Sequence, residues 1–296
     1  MKTVALLLDD ANNRYQQLLA RQARAHTPRQ ELRLLRPVFA QGSSWTQIET
    51  INKYLRSASP PDALLIMPSG EQHTGSWLER ALGKNLAVVL LNRIPDWINI
   101  GNKFPNALAA GVAPRQVEVG QLQAQQALRI VRPGAFVLLV TGAAKSQTAI
   151  ERRTGFLDSI GKRLNVTLVD GRWTPEEAEK AMAEWLKVGA ERNRSIDLVV
   201  CQNDNMAVGV RRALLYHARL LRRPELANTP LIGCDGLEEE GQTMVRGGSL
   251  VATVVLPATT PVALDVLHQY WTHGTRPGTV GLEVSSYPAL DEIRRP

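Results

Sequence analysis

The chain has 296 residues, 35 Lys plus Arg against 28 Asp plus Glu for a formal net charge of +7, and 44% hydrophobic with 21% charged side chains. Its length is about twice the commonest single-domain size, so two cores are expected, and the composition excludes disordered and collagen-like classes. No run of about 18 uncharged apolar residues occurs, which excludes a membrane-spanning helix, and the two cysteines, Cys201 and Cys234, form neither a disulfide framework nor a paired metal-ligand spacing.

Short apolar runs with amphipathic segments between them predict parallel sheets covered by helices. A strand over 4–8 leads to a helix over 14–25, a strand over 32–37, a helix over 45–57 and a strand over 63–67. A helix over 76–82 and a strand over 87–91 follow, then a loop over 94–110 broken by Pro95, Gly101 and Pro105. The rhythm resumes with a helix over 117–130, a strand over 135–140, a helix over 149–160, a strand over 166–169 and a helix over 175–186. It continues with a strand over 198–201, a helix over 205–217 and a strand over 231–234. A helix over 241–246, a strand over 250–255, a helix over 261–271 and an extended segment over 281–287 close the chain. The two halves share one rhythm and predict two similar α/β layers in tandem.

Arginine supplies 27 of the basic residues, spread along the chain with short clusters such as Arg152 with Arg153 and Arg219 with Arg222 and Arg223. No aromatic residues interleave them, so a solvated basic surface is expected and no nucleic-acid partner. At the N-terminus the apolar run is followed at once by Asp9 and Asp10, a pattern that is not a secretory signal. The chain is therefore expected in the cytoplasm if complete as written, and in the periplasm if an export sequence has been removed. No membrane insertion is expected.

In open parallel sheets ligands bind beyond the carboxyl ends of the strands, where helix N-termini present unpaired N–H groups. After the first strand stand Asp9, Asp10, Asn12, Asn13, Arg14, Tyr15 and Gln16, and after the strand over 87–91 stand Asn92 and Arg93. In the second half Gln202, Asn203, Asp204 and Asn205 follow one strand, and Asp235 and Gly236 follow the next. Carboxylates, amides and a guanidinium suit recognition of hydroxyl pairs, with Tyr15 and Trp173 as rings that can stack on a sugar. The same Asp and Asn residues also read as helix N-caps and turn formers, Arg93 as a bridge to a carboxylate, and Trp185 and Trp271 as core anchors. An Asp204/Asp235 acid–base pair is the one catalytic arrangement in view, and turn contexts account for both residues without it. There is no Walker A loop, no GxGxxG, no HExxH, no ligand spacing among the histidines and no nucleophile elbow at Ser146. No catalytic residue, metal or cofactor is expected.

LLLDDANNRYQQLLARQA at 6–23, the pair Asn92 and Arg93, DGRWTPEEAEKA at 170–181, CQNDNMAVGVRRAL at 201–214 and GCDGLEEEGQTMVRGGSLVATVV at 233–255 carry a resemblance. They resemble the ribose-type periplasmic sugar-binding proteins and the effector domains of LacI-type repressors, over essentially the whole chain. The resemblance implies a type I periplasmic-binding-protein fold, in which two Rossmann-like parallel-sheet domains joined by a three-strand hinge close on a small ligand in the interdomain cleft. It implies domains at 1–110 with 257–280 and at 111–256 with 281–296. Asn13, Tyr15 and Gln16 match the first-loop contacts, Asn92 and Arg93 the hinge-proximal pair, Trp173 an aromatic contact, and Asn203 and Asp235 the hydroxyl-binding groups of the QND and DG motifs. Asn92 stands where ribose binders have Asp, Leu256 where the family often has Gln, Ile150 where a ligand-contacting Arg stands, and Arg115 where relatives have Asp. Arg152 then matches a structural arginine. These departures remove part of the ribose-binding set, so another sugar or polyol is the expected ligand. The implied role is solute binding for an ABC permease or a sensor partner, with a cytoplasmic ligand-sensing module built like a LacI effector domain, without a DNA-binding domain, as the alternative.

Overall fold

The computed structural model describes residues 1–69, 76–188 and 195–294, without the side chains of residues 29–30. Elements are numbered in chain order. The first stretch holds β1 (Thr3–Leu8), α1 (Arg14–His26), β2 (Arg33–Leu34), β3 (Val38–Phe39), α2 (Ser44–Arg56) and β4 (Ala63–Ile66). It continues through α3 (Ser76–Gly83), β5 (Ala87–Leu91), a 3-10 segment (Asp96–Lys103) and β6 (Ala109–Pro114). The middle stretch holds α4 (Gln116–Ile130), β7 (Phe136–Thr141), α5 (Gln147–Ile160), β8 (Asn165–Asp170), α6 (Pro175–Lys187), β9 (Leu198–Cys201) and α7 (Asp204–Leu220). Then come β10 (Leu231–Asp235), a π-helical turn (Glu238–Gln242), α8 (Thr243–Arg246), β11 (Ala252–Val255), α9 (Thr259–His273), β12 (Thr279–Leu282) and β13 (Ser285–Tyr287). No described helix is long and apolar enough to cross a membrane.

The chain divides into two compact units, Met1–Pro114 with Pro257–Leu282 and Arg115–Leu256 with Glu283–Pro296, and so passes between them three times. The first unit carries a parallel sheet in the order β12-β6-β5-β4-β1-β2, with β3 also on β1. The second carries β13-β11-β10-β9-β7-β8, parallel except for β13, which runs antiparallel to β11.

Strand periodicity sorts the second unit's core into two layers. Leu138, Val140, Val199 and Cys201 face α6 and α7 through Met182, Leu186, Met206 and Val210. Val137, Leu139, Leu198 and Val200 face α4 and α5 through Ala124, Ala127 and Phe156. In the first unit Ala5, Leu7, Leu64, Ile66, Val88 and Leu90 pack on Ile51, Leu55, Trp77 and Leu78 of α2 and α3. Strands covered on both faces present polar side chains mainly where they end.

Three sequence expectations are corrected. The loop expected over 94–110 holds the 3-10 segment and the start of β6. β6 reads AAGVAP because neighbours crowd it: a Cβ on Gly111 would collide with Ile94, and Gly101 leaves none of the room that a side chain would need beside Ala109. Small residues chosen for close approach carry little strand signal. The strand expected over 32–37 is only β2 at Arg33–Leu34, and β3 follows beyond it at Val38–Phe39, because β1 pairs Val4 with Leu34 and Leu7 with Val38, one residue more on one side than on the other. The extended segment expected over 281–287 is two strands, β12 beside β6 in the first unit and β13 beside β11 in the second.

Helices α4 and α5 approach backbone to backbone: a Cβ on Gly120 would overlap the Arg152 carbonyl, and one on Gly155 would overlap the Val117 carbonyl. Gly120→Ala is therefore expected to lower stability by about 1–3 kcal/mol through overpacking, despite alanine's better helix propensity. Gly278→Ala, where an added Cβ meets nothing within 4 Å, is expected to stay within about 0.5 kcal/mol. Urea denaturation of the two variants checks the difference.

Candidate functional site

At the carboxyl edge of the first sheet, β1 ends at Leu8 and the chain turns into α1. Asn13 caps that helix, its Oδ1 accepting from the Gln16 amide at 3.1 Å. Gln16 is buried, and its Oε1 accepts from the amides of Asp9 (2.7 Å) and Asp10 (3.0 Å), which clamps the turn. Tyr15 is also buried; its hydroxyl donates to the Pro257 carbonyl at 2.9 Å and accepts from Asn92 Nδ2 at 3.0 Å. Asn92 has a φ of 63°, the left-handed region that asparagine tolerates better than most residues, and its Oδ1 accepts from the Thr259 hydroxyl at 2.7 Å.

Beside this network Arg93 Nη1 donates to the Pro68 carbonyl at 3.0 Å and lies 3.9 Å from Asp9 Oδ2. Two oxygens at the same edge are buried without a hydrogen-bond partner among the described residues: Asp9 Oδ1, after β1, and Ser69 Oγ, after β4. The Ser69 amide donates to Gln47 Oε1 at 2.9 Å, which fixes its backbone.

At the carboxyl edge of the second sheet Asn203 caps α7, its Oδ1 accepting from the Met206 amide at 2.7 Å while its Nδ2 donates to the Trp173 carbonyl at 3.0 Å. The Trp173 ring lies over Gly142, where it leaves no room for a Cβ, and the Arg152 guanidinium carbon is 5.7 Å from its centroid. Arg152 is buried, donating through Nε to Gln116 Oε1 at 2.8 Å and through Nη1 to the Gln202 carbonyl, with Cys234 Sγ at 3.4 Å.

Asp235 is half-buried and has a φ of 108°, an uncommon backbone for a non-glycine residue. Burial pushes its carboxyl up to about 7, with Arg152 opposing the rise and Glu240 adding to it. Burial likewise holds the Cys234 thiol at about 12 and raises that of Cys201, so both stay protonated and unreactive at neutral pH.

The structure thus gathers Asn13, Tyr15, Gln16, Asn92 and Arg93 at one edge of the first unit, and Trp173, Asn203 and Asp235 at one edge of the second. Within these groups Tyr15, Gln16 and Asn92 are committed to internal hydrogen bonds, and Asn13 and Asn203 cap helices. Arg93, Asp9, Trp173 and Asp235 keep partial exposure. Trp185 stacks on Phe136 at 6.0 Å, and Trp271 lies 5.8 Å from Lys2 Nζ. Sequence reasoning left Ser69 out of the site, although it follows a strand end by the same rule that selected Asn92. It also assigned no partner to Arg152, whose burial against Trp173 depends on contacts between distant segments.

Two α/β units, each built on a mostly parallel sheet with polar groups collected at the strand carboxyl ends, match a known arrangement. A family model described as "Periplasmic binding protein domain" matches residues 4–270. The chain belongs to this family. Over 196 residues it is 24% identical to the xylitol-binding protein of Mycolicibacterium smegmatis, covering 65% of this chain and 50% of that one. It is 34% identical over 105 residues to the HTH-type transcriptional regulator AscG of Escherichia coli, covering 34% of this chain and 29% of that one. The chain thus spans half the length of the xylitol-binding protein and less than a third of the regulator's. A periplasmic solute-binding protein of an ABC transporter from Actinobacillus succinogenes, solved with bound D-allose, superposes with a TM-score of 0.83 at 16% identity over 97% of both chains, and so shares the fold.

Asn92→Ala removes the donor to Tyr15, the acceptor for Thr259 and the side chain suited to the left-handed backbone. It is expected to cost about 1–3 kcal/mol of stability. Asn92→Gly keeps that backbone accessible and isolates the hydrogen-bond contribution. Thermal unfolding of both variants beside the unmodified chain gives the two losses.

Proposed function

We propose that this protein binds a small polyhydroxylated solute, a sugar or polyol, with the carboxyl-edge groups of its units as contacts, and that it binds without chemical conversion. The observation that carries this reading is the pair of buried oxygens, Asp9 Oδ1 and Ser69 Oγ, that have no partner among the described residues and lie at the edge where Arg93 is held. A buried polar atom without a partner costs about 1–3 kcal/mol, a cost that a ligand hydroxyl removes and an apolar molecule does not. In the second unit Asp235 and Trp173 offer an acceptor and a ring face for sugar C–H groups. The ligands named for the relatives, xylitol and D-allose, belong to the same chemical class.

In this reading the protein delivers its solute to an ABC permease from outside the cytoplasmic membrane. A second reading, a ligand-sensing regulatory module acting in the cytoplasm, is favoured by the match to AscG, a transcriptional regulator. The two readings share the ligand site and differ in the partner.

A ligand bound only by the folded state raises stability by about 2.7 kcal/mol at a hundred times Kd. Screening xylitol, D-allose and related sugars and polyols by thermal shift is expected to find a compound that raises Tm, while nucleotides and apolar compounds do not. Asp9→Ala in the first unit and Asp235→Ala in the second are each expected to weaken that compound's binding about 5- to 150-fold by calorimetry. Unchanged affinity in both variants would overturn the site assignment, and conversion of the bound sugar would overturn the binding-only reading.

A further inference from the structure

Asp204 is the first residue of α7, and the site as described makes no use of it. Its side chain is buried, with Oδ1 2.8 Å from the Thr253 hydroxyl and Oδ2 accepting from the Gly236 amide at 2.8 Å. The carboxyl group fills a slot that exists because residues 233 and 241 are glycines: a Cβ on Gly233 would overlap Oδ1 and a Cβ on Gly241 would overlap Oδ2. Strands β10 and β11 and the π-helical turn therefore converge on this one group. No cation pairs with it among the described residues. The charged and titratable groups around it are Asp235 at the end of β10, Glu240 in the π-helical turn, Cys201 on β9 and Cys234 on β10. Arg211 on α7 acts on Cys201, and Arg152 on α5 acts on Asp235 and Cys234.

Three carboxyl groups thus crowd one strand end, and the guanidinium of Arg152 is already committed to Gln116, the Gln202 carbonyl and the Trp173 face. An uncompensated buried charge is far more costly than a buried neutral acid with both oxygens hydrogen-bonded. We infer that Asp204 is held as an uncharged carboxylic acid at neutral pH and in that form is a positioning residue: Oδ2 accepts from Gly236, Oδ1 carries the proton and donates it to Thr253 Oγ1, and the Asp235–Gly236 turn is fixed with no second charge beside Asp235. Burial, followed by the charge of Asp235, drives the Asp204 carboxyl well above its usual range and outweighs the opposing hydrogen bonds from Thr253 and Gly236, which agrees with this state. The inference rests on the proposed function only in taking Asp235 as the ligand-facing group.

An amide is the isostere of the neutral acid and not of the carboxylate. In Asp204→Asn the oxygen still faces the Gly236 amide and the NH₂ donates to Thr253, whereas a site built for the carboxylate would place that NH₂ against a donor. The unfolded chain titrates this carboxyl near about 4. A folded-state value above that makes the group's contribution full at acid pH and progressively lost as pH rises through the folded-state value. The urea midpoint of the unmodified protein is therefore expected to fall between about pH 5 and pH 8 more steeply than that of Asp204→Asn, with the variant at least as stable at the upper end. Asp204→Ala, which orphans both partners, is expected to be less stable throughout.

A second measurement does not depend on the stability of any variant at Asp204. The infrared carbonyl stretch of a protonated carboxyl is expected at neutral pH in the unmodified protein and in Asp235→Asn, and is expected to be lost from the Asp235→Asn background when Asp204→Asn is added, which removes Asp235's own contribution to the band. Loss of the band in Asp235→Asn, or an Asp204→Asn variant as unstable as Asp204→Ala at every pH, would overturn the inference. Both readouts are taken on ligand-free protein, so a failed ligand screen would count against the proposed function and not against the state of Asp204.

Discussion

A β-strand covered by helices on both faces has little room for a polar side chain except at its end or where, as at Thr253, a buried partner meets it. That constraint governs both units. Val137 to Val140 and Val199 to Cys201 alternate between two apolar layers without interruption, and the polar groups wait at Thr141, Gln202 and Asp235, where the strands give way to turns and helix N-termini. The first unit repeats the arrangement with Asp9, Ser69 and Asn92. The chemistry therefore collects at one edge of each sheet because the rest of the sheet excludes it.

The same edge must also satisfy the free N–H groups of the helices that start there, so the side chains have two employers. Asn13 and Asn203 cap helices, and Gln16 clamps two amides of the preceding turn. Asp9, Arg93, Trp173 and Asp235 keep partial exposure at these edges, and in the proposed reading they and the Ser69 hydroxyl are the ligand contacts. This division explains why a list of polar residues at strand ends is longer than the list of groups still open to a partner.

Charge is distributed with equal economy. In the second unit one buried guanidinium, Arg152, is shared by an amide, a carbonyl, a thiol and an indole face, and it moderates the carboxyl of Asp235 from nearby. A second full charge on Asp204 would have no such compensation. The glycines at 233 and 241 close the space in which water or a cation would otherwise supply it.

Local pattern determined much of this protein. Apolar runs bounded by amphipathic segments placed α1, α2, β4, β5, α4, α5, α6, α7 and β9 within a few residues, because burial on both faces and helical amphipathicity are written in nearest-neighbour chemistry. The strand-end rule also picks out Asn13, Asn92, Arg93, Asn203 and Asp235, which the structure places at the sheet edges. Tertiary structure decided what depends on residues distant in the chain. The small residues of β6 are explained only by Ile94 and the 3-10 segment pressing on them, and the split of the segment over 281–287 follows from each half pairing with a different sheet. The roles of Tyr15, Asn92 and Asp204 were equally out of reach, since their partners Pro257, Thr259 and Thr253 lie 242, 167 and 49 residues away. A hydrogen bond between such distant positions leaves no periodic trace, and it exists only once the fold has brought its two ends together.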